Sequence, residues 1–135
     1  MAKTLGQVMS GVAKQNNTTL HANEEHQLYT LAISYDDGRS QAVTAHLQTD
    51  DHGENWLIVS STFGQIADLD AADLLKRNES FAGLAFVGAE DDGSAVVLAR
   101  VPLENADEDL VARMVASVSG YADVLEEAFY GTDEK

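Results

Sequence analysis

The chain contains no cysteine. Disulfides, thiolate zinc sites and cysteine nucleophiles are therefore excluded, and the composition suits a reducing cytoplasm. Basic residues are scarce: 8 Lys and Arg stand against 23 Asp and Glu, for a net charge of −15. A nucleic-acid backbone or an anionic membrane would be repelled, so neither is an expected partner. A basic partner would be steered in. The same acidity also fits plain solubility or a salty cytoplasm. Long apolar runs are missing as well. Residues 1 to 5, "MAKTL", lack the apolar stretch of a signal peptide. No segment approaches the roughly 18 apolar residues needed to span a bilayer. With 135 residues, 44% of them hydrophobic, the chain fits a single domain over residues 1–135, frayed at 1–2 and 131–135.

Catalytic signatures are absent too. There is no G-x-S-x-G, no G-K-[ST] and no G-x-G-x-x-G. The histidines are His21, His26, His46 and His52, and no His-x-x-x-His pair occurs among them. Among 23 acids, some carboxylate pairs will fall close together by chance, so such pairs do not point to a hydrolase. No catalytic residue, cofactor or metal ligand is assigned, and the expected protein is not an enzyme. The alternative is a small regulatory domain responding to a metal ion or small molecule through His46, Asp50, Asp51 and His52.

What the sequence does contain is pattern. Leu5, Val8, Met9 and Val12 recur at helical spacing within residues 3 to 15, and Asn16-Asn17-Thr18-Thr19 ends that helix. "QLYTLAISY" places Tyr29, Leu31, Ile33 and Tyr35 on one strand face. "QAVTAHLQ" alternates Val43, Ala45 and Leu47 against Thr44, His46 and Gln48. "NWLIVSSTF" sets Leu57, Val59 and Phe63 against Trp56 and Ile58. These read as a three-stranded antiparallel meander. "DLDAADLLKRN" is a short helix capped by Asp70, with Asn78 as a left-handed stop. "FAGLAFVG" and "SAVVLARV" form a hairpin that Pro102 ends. The clearest signal is a helical stripe of Leu110, Val111, Met114, Val115, Val118, Tyr121, Ala122, Leu125 and Phe129, with Asp107, Glu108 and Asp109 at its positive end. Gly120, inside that helix, marks an expected close approach. The fold class is α+β: helix, three-stranded antiparallel meander, helix, β-hairpin, long C-terminal amphipathic helix, with the helices on one sheet face.

Three acidic stretches lie at the turns: Asp36-Asp37-Gly38, Asp50-Asp51-His52-Gly53 and Glu90-Asp91-Asp92-Gly93. None has the alternate-position carboxylates and twelfth-position Glu of a calcium loop. Asp-Gly between alternating strands reads instead as a hairpin turn of type I′. The strands around Trp56-Leu57-Ile58-Val59 and Val96-Val97-Leu98 are apolar on both faces. They need a second cover, which could be a partner helix, a second copy or a bound extended segment. The N-terminal helix, or a curl of the sheet, would serve equally.

The C-terminal half has a further pattern. A helix ends in Leu74-Leu75 with Asn78. A strand follows over residues 81 to 87, then Asp92-Gly93, an apolar strand over residues 96 to 103 and a final amphipathic helix over residues 106 to 129. In this order the chain resembles the YbjN-like and type III secretion chaperone-like proteins. The resemblance implies a small acidic α+β protein, commonly a homodimer, without a cofactor. It also implies a protein partner whose segment is held in extended or amphipathic form against apolar patches, here Trp56, Ile58, Val96 and Leu98.

Overall fold

Thr4 starts the first helix, α1 (Leu5–Gln15), through a reciprocal cap: its hydroxyl accepts from the Gln7 amide, and the Gln7 side chain accepts from the Thr4 amide. Asn17 ends it in the left-handed region at φ 55°. The Asn17 and Thr18 amides then donate back to Lys14 and Ala13 carbonyls, which closes the helix end. The computed structural model describes residues 4–35, 37–81 and 83–131, and the ends expected to fray lie outside them apart from Gly131, which caps the last helix.

The remaining elements are β1 (His21–Asn23), β2 (Leu28–Ser34), β3 (Ser40–Thr49), β4 (Asn55–Gln65), α2 (Ala71–Arg77), β5 (Phe86–Ala89), β6 (Ser94–Pro102) and α3 (Glu108–Tyr130). The strands form one antiparallel sheet in the order β1-β2-β3-β4-β6-β5. Asp107 caps α3 by accepting from the Leu110 amide. The stripe on α3 then buries Val111, Met114, Val115, Val118, Ala122 and Leu125 in a core shared with α1 and with the inner residues of the strands. Leu74 of α2 joins that core, and Phe81 beyond α2 stacks on Tyr121 of α3 with ring centroids 4.1 Å apart. All three helices therefore lie on the same side of the sheet.

Four expectations need correction. The sheet has six strands rather than five, because β1 exposes all of its residues and so carries no alternation to read. The strand read over residues 81–88 shrinks to Phe86–Ala89, since Phe81 turns inward to α3 and Gly83 takes φ 83°. Asn78 is right-handed at φ −59° and runs into a single 3-10 turn; its side-chain oxygen accepts from the Val87 amide at 2.7 Å. A Cβ on Gly120 would meet nothing within 4 Å, so that glycine marks no close approach. The tight approach lies at Gly11, where a Cβ would run into the Glu108 side chain.

The acidic stretches do turn the chain, by a different geometry from type I′. At each, the glycine amide donates to the carbonyl three residues back: Gly38 to Tyr35, Gly53 to Asp50 and Gly93 to Glu90. A second bond closes each strand pair: Tyr35 to Arg39, Asp50 to Glu54 and Glu90 to Ser94. Among the described residues of these stretches, only the glycines have positive φ, at 89°, 83° and 90°. At Gly53 and Gly93 this is the bonding of a type I turn followed by a left-handed glycine bulge, while Asp36 lies outside the described residues. Aspartates favour it because their carboxylates accept from nearby amides, as Asp37 does from Arg39, Asp50 from His52 and Glu54, and Asp92 from Ser94.

Candidate partner-binding face

Strand parity sends every second residue away from the helices. On β4 these are Trp56, Ile58, Ser60 and Thr62; on β6 they are Val96, Leu98, Arg100 and Pro102. The register aligns them in rows: Gln48–Trp56–Pro102, His46–Ile58–Arg100, Thr44–Ser60–Leu98–Phe86 and Thr62–Val96–Gly88. Trp56, Ile58, Val96 and Leu98, the expected partner-binding residues, thus share one outer face. None belongs to the core cluster or packs against it. Ile58 and Val96 are only 6% and 2% exposed, while Trp56 and Leu98 stay half-buried and supply most of the apolar area a partner could reach. Among the described residues no helix covers this face, so α1 is not its cover.

The face has a structured polar end. Trp56 donates its indole N–H to Asp50 Oδ2 at 2.9 Å, and Asp50 Oδ1 accepts from the His52 and Glu54 amides at 2.8 and 3.0 Å. The indole, followed by these backbone donors, holds the Asp50 carboxyl below its ordinary 3.8. Beside it, the Arg100 guanidinium sits over the Phe86 ring, 5.2 Å from its centroid. Gln48, Asp50, Trp56 and Arg100 line a shallow cleft of about 400 Å³. Sequence reasoning put Gln48 on a strand face but assigned neither it nor Arg100 nor Phe86 to the site. The signal was present in the alternation of "SAVVLARV", which puts Arg100 on the same face as Val96 and Leu98.

His46, Asp50, Asp51 and His52 are not brought together as ligands. His46 pairs with Ile58 within the sheet, and Asp50 is taken up by its own turn and Trp56. Among the described residues, no three His, Asp or Glu side chains gather in a way that could hold a metal ion. A larger cleft of about 860 Å³ lies elsewhere, where the starts of α1 and α3 meet. Leu5, Val8 and Leu103 give it an apolar floor, and Glu54, Glu104, Asp107 and Glu108 an acidic rim. Two of those acids are already used: Asp107 caps α3, and Glu108 accepts from the Gln15 amide group at 2.7 Å.

No family model matches the chain, and no curated protein sequence matches it. Solved structures do. The crystal structure of the ExsC–ExsE complex aligns over 96% of this chain and 97% of the other, at TM-score 0.67 and 13% identity. The HopA1–SchA chaperone–effector complex aligns over 90% and 92%, at TM-score 0.61 and 16% identity. The Yersinia pestis type III secretion chaperone SycH, in complex with a stable fragment of YscM2, aligns over 90% and 99%, at TM-score 0.56 and 14% identity. The chain has the type III secretion chaperone fold. Coverage near the full length on both sides means that the secretion-chaperone architecture extends from α1 through α3. The likeness bears on the secretion-chaperone part of the resemblance and not on its YbjN-like part. Among the described residues, no helix is long and apolar enough to cross a membrane.

Proposed function

We propose that the protein is a non-enzymatic, cytoplasmic binding module that holds an extended or amphipathic segment of a partner protein, and that it works as a homodimer without a cofactor. One observation carries this reading: in a secretion-chaperone fold, Trp56, Ile58, Val96 and Leu98 stand together on a sheet face that no helix among the described residues covers. Trp56 and Leu98, the half-buried members of this group, supply apolar surface that a partner would stabilise. The structural neighbours hold partner proteins: SchA is solved with HopA1 and SycH with a fragment of YscM2. The homodimer is supported by a different surface. Leu75 on α2 and Leu84 just before the edge strand β5 are 68% and 49% exposed.

Two measurements test the proposal. Light scattering at low and high salt should give a dimer mass in both; a monomer at every concentration overturns the homodimer. A random 12-residue peptide library displayed against immobilised protein should yield sequences that bind the wild type and not Leu98→Asp, with circular dichroism confirming that the variant is folded. Enrichment of no sequence, or of the same sequences on both proteins, overturns the partner-binding face.

A further inference from the structure

The outer face differs from the rest of the molecule in charge. The chain carries 23 Asp and Glu, yet no outward position of β2, β3, β4, β5 or β6 holds one. Acids flank the face instead, at the ends of the strands. Asp50, Asp51 and Glu54 stand at one end, and Asp37, Glu90, Asp91 and Asp92 at the other. Within the face stands one permanent cation, Arg100. Among the described residues its guanidinium makes no ion pair, unlike Arg39, which binds Asp37, Asp123 and Glu127. Asp50 lines the same cleft but spends its oxygens on Trp56 and two backbone amides. The Phe86 ring beneath Arg100 and the Asp50 bond to Trp56 hold both walls of the cleft in place.

From this we infer that the face selects a partner segment bearing one carboxylate side chain between apolar ones, with the carboxylate on Arg100 and basic residues toward the segment's ends. The inference rests on the binding reading above and specifies its ligand. A guanidinium pairs with a carboxylate through two parallel hydrogen bonds, and partial removal from water strengthens the pair. Apolar neighbours of that carboxylate would lie on Trp56 and Ile58 to one side and on Leu98 and Phe86 to the other. Basic ends would meet the acidic turns. A segment rich in acids would be rejected by those same turns, so the arrangement gives selectivity by repulsion as well as attraction.

The test is selection of the 12-residue library, long enough to span the 11 residues of β4, on the wild type and on Arg100→Glu in parallel. Wild-type selections should converge on one Asp or Glu set among apolar residues, with Lys or Arg toward the ends. Arg100→Glu should replace that acid with Lys or Arg. A synthetic peptide from the wild-type pool should change the fluorescence of Trp56, the chain's single tryptophan. Changing its acid to the amide should weaken binding roughly tenfold on the wild type and not on Arg100→Glu, in line with the energy of a charge-assisted hydrogen bond. Wild-type sequences without an acid, or identical selections on both proteins, overturn the carboxylate inference while leaving the binding face intact. No enrichment on either protein overturns both.

Discussion

At the scale of single residues, backbone conformation separates glycines that look alike in sequence. Gly38 and Gly53 have open space where a Cβ would sit, but both have positive φ. Alanine there is strained by conformation alone, at roughly 1–2 kcal/mol each. Gly120 also has open space, but it is helical. Alanine there should stabilise by about 1 kcal/mol. Urea unfolding of Gly38→Ala and Gly120→Ala should therefore shift the midpoint in opposite directions; shifts of the same sign would refute the conformational assignment. Tyr29 gives a second residue-scale prediction. It is buried in the core and donates to Glu24 at 2.7 Å. Burial, followed by the Glu24 bond and charge, pushes its hydroxyl from the ordinary 10.0 to about 12. Folding favours the neutral phenol. The stability this supplies is complete below pH 10 and is lost as pH rises through about 12. Ultraviolet titration should show Tyr29 ionising late, together with unfolding, and because burial also raises Tyr35, Tyr29→Phe should remove part of the late step and not all of it. A Tyr29 that titrates near 10 in the folded protein would contradict its burial.

At the scale of elements, α3 carries most of the inner layer. Leu125 is fully buried on its inner side, whereas its neighbour Val124 is 56% exposed. Leu125→Ala should cost about 2–5 kcal/mol, by lost burial and a residual cavity. Val124→Ala should stay within about 0.5 kcal/mol, as exposed substitutions do. Equal losses in denaturant titrations would show that the helix face is misassigned. The C-terminal end of α3 is tied down as well: the Tyr130 hydroxyl accepts from the Gln65 amide at 3.0 Å and packs over Gly64 at a bulge in β4. The inner faces of β2, β3 and β4 and the α3 stripe were legible in the sequence because burial on one side imposes a period, and the cap at Asp70 because its side chain suits that position; Asp107 was read only as an acid at the positive end of α3, where it proves to be the cap. The edge strand β1 was not, because exposed residues on a short strand have no period to show. The polar layer under α3 was also hidden. Gln41 and Ser61 occupy inward positions and bond to each other at 3.1 Å, and no local pattern announces a pair 20 residues apart. The candidate face was legible as two-sided apolar strands around Trp56, Ile58, Val96 and Leu98. Which face lay outward, and that Arg100 stood on it, depended on which side α1 and α3 occupy, and that is a tertiary fact.

At the scale of the whole molecule, charge dominates. A net charge of −15 on 135 residues makes the folded state repel itself, since folding brings like charges closer than they lie in the open chain. The three acidic turns concentrate that charge at the strand ends, where the ordered cations nearby are few: Arg39 offsets Asp37, but no ion pair among the described residues engages Asp51, Glu90 or Asp91. Screening should therefore stabilise the fold. Between about 0.01 and 0.15 M salt the Debye length falls from roughly 30 to 8 Å, which screens repulsion between the separate acidic turns more than repulsion within each. The thermal midpoint should rise over that range and then level off, and the rise should be as large in sodium chloride as in potassium chloride, because screening is not ion-specific. A flat midpoint would mean that the acids are too far apart to matter, and their spread would then reflect solubility alone. A rise with calcium far beyond that expected from ionic strength would mean that the turns bind the ion, and would reopen the metal-responsive reading. The same screening acts on partner binding. If basic ends on the partner meet acidic turns, association should slow as salt increases, while apolar contact with Trp56 and Leu98 should hold the dissociation rate nearly constant. Stopped-flow fluorescence of Trp56 with a selected peptide separates the two rates. An effect of salt on dissociation alone would place the charge contacts inside the desolvated face rather than at its ends.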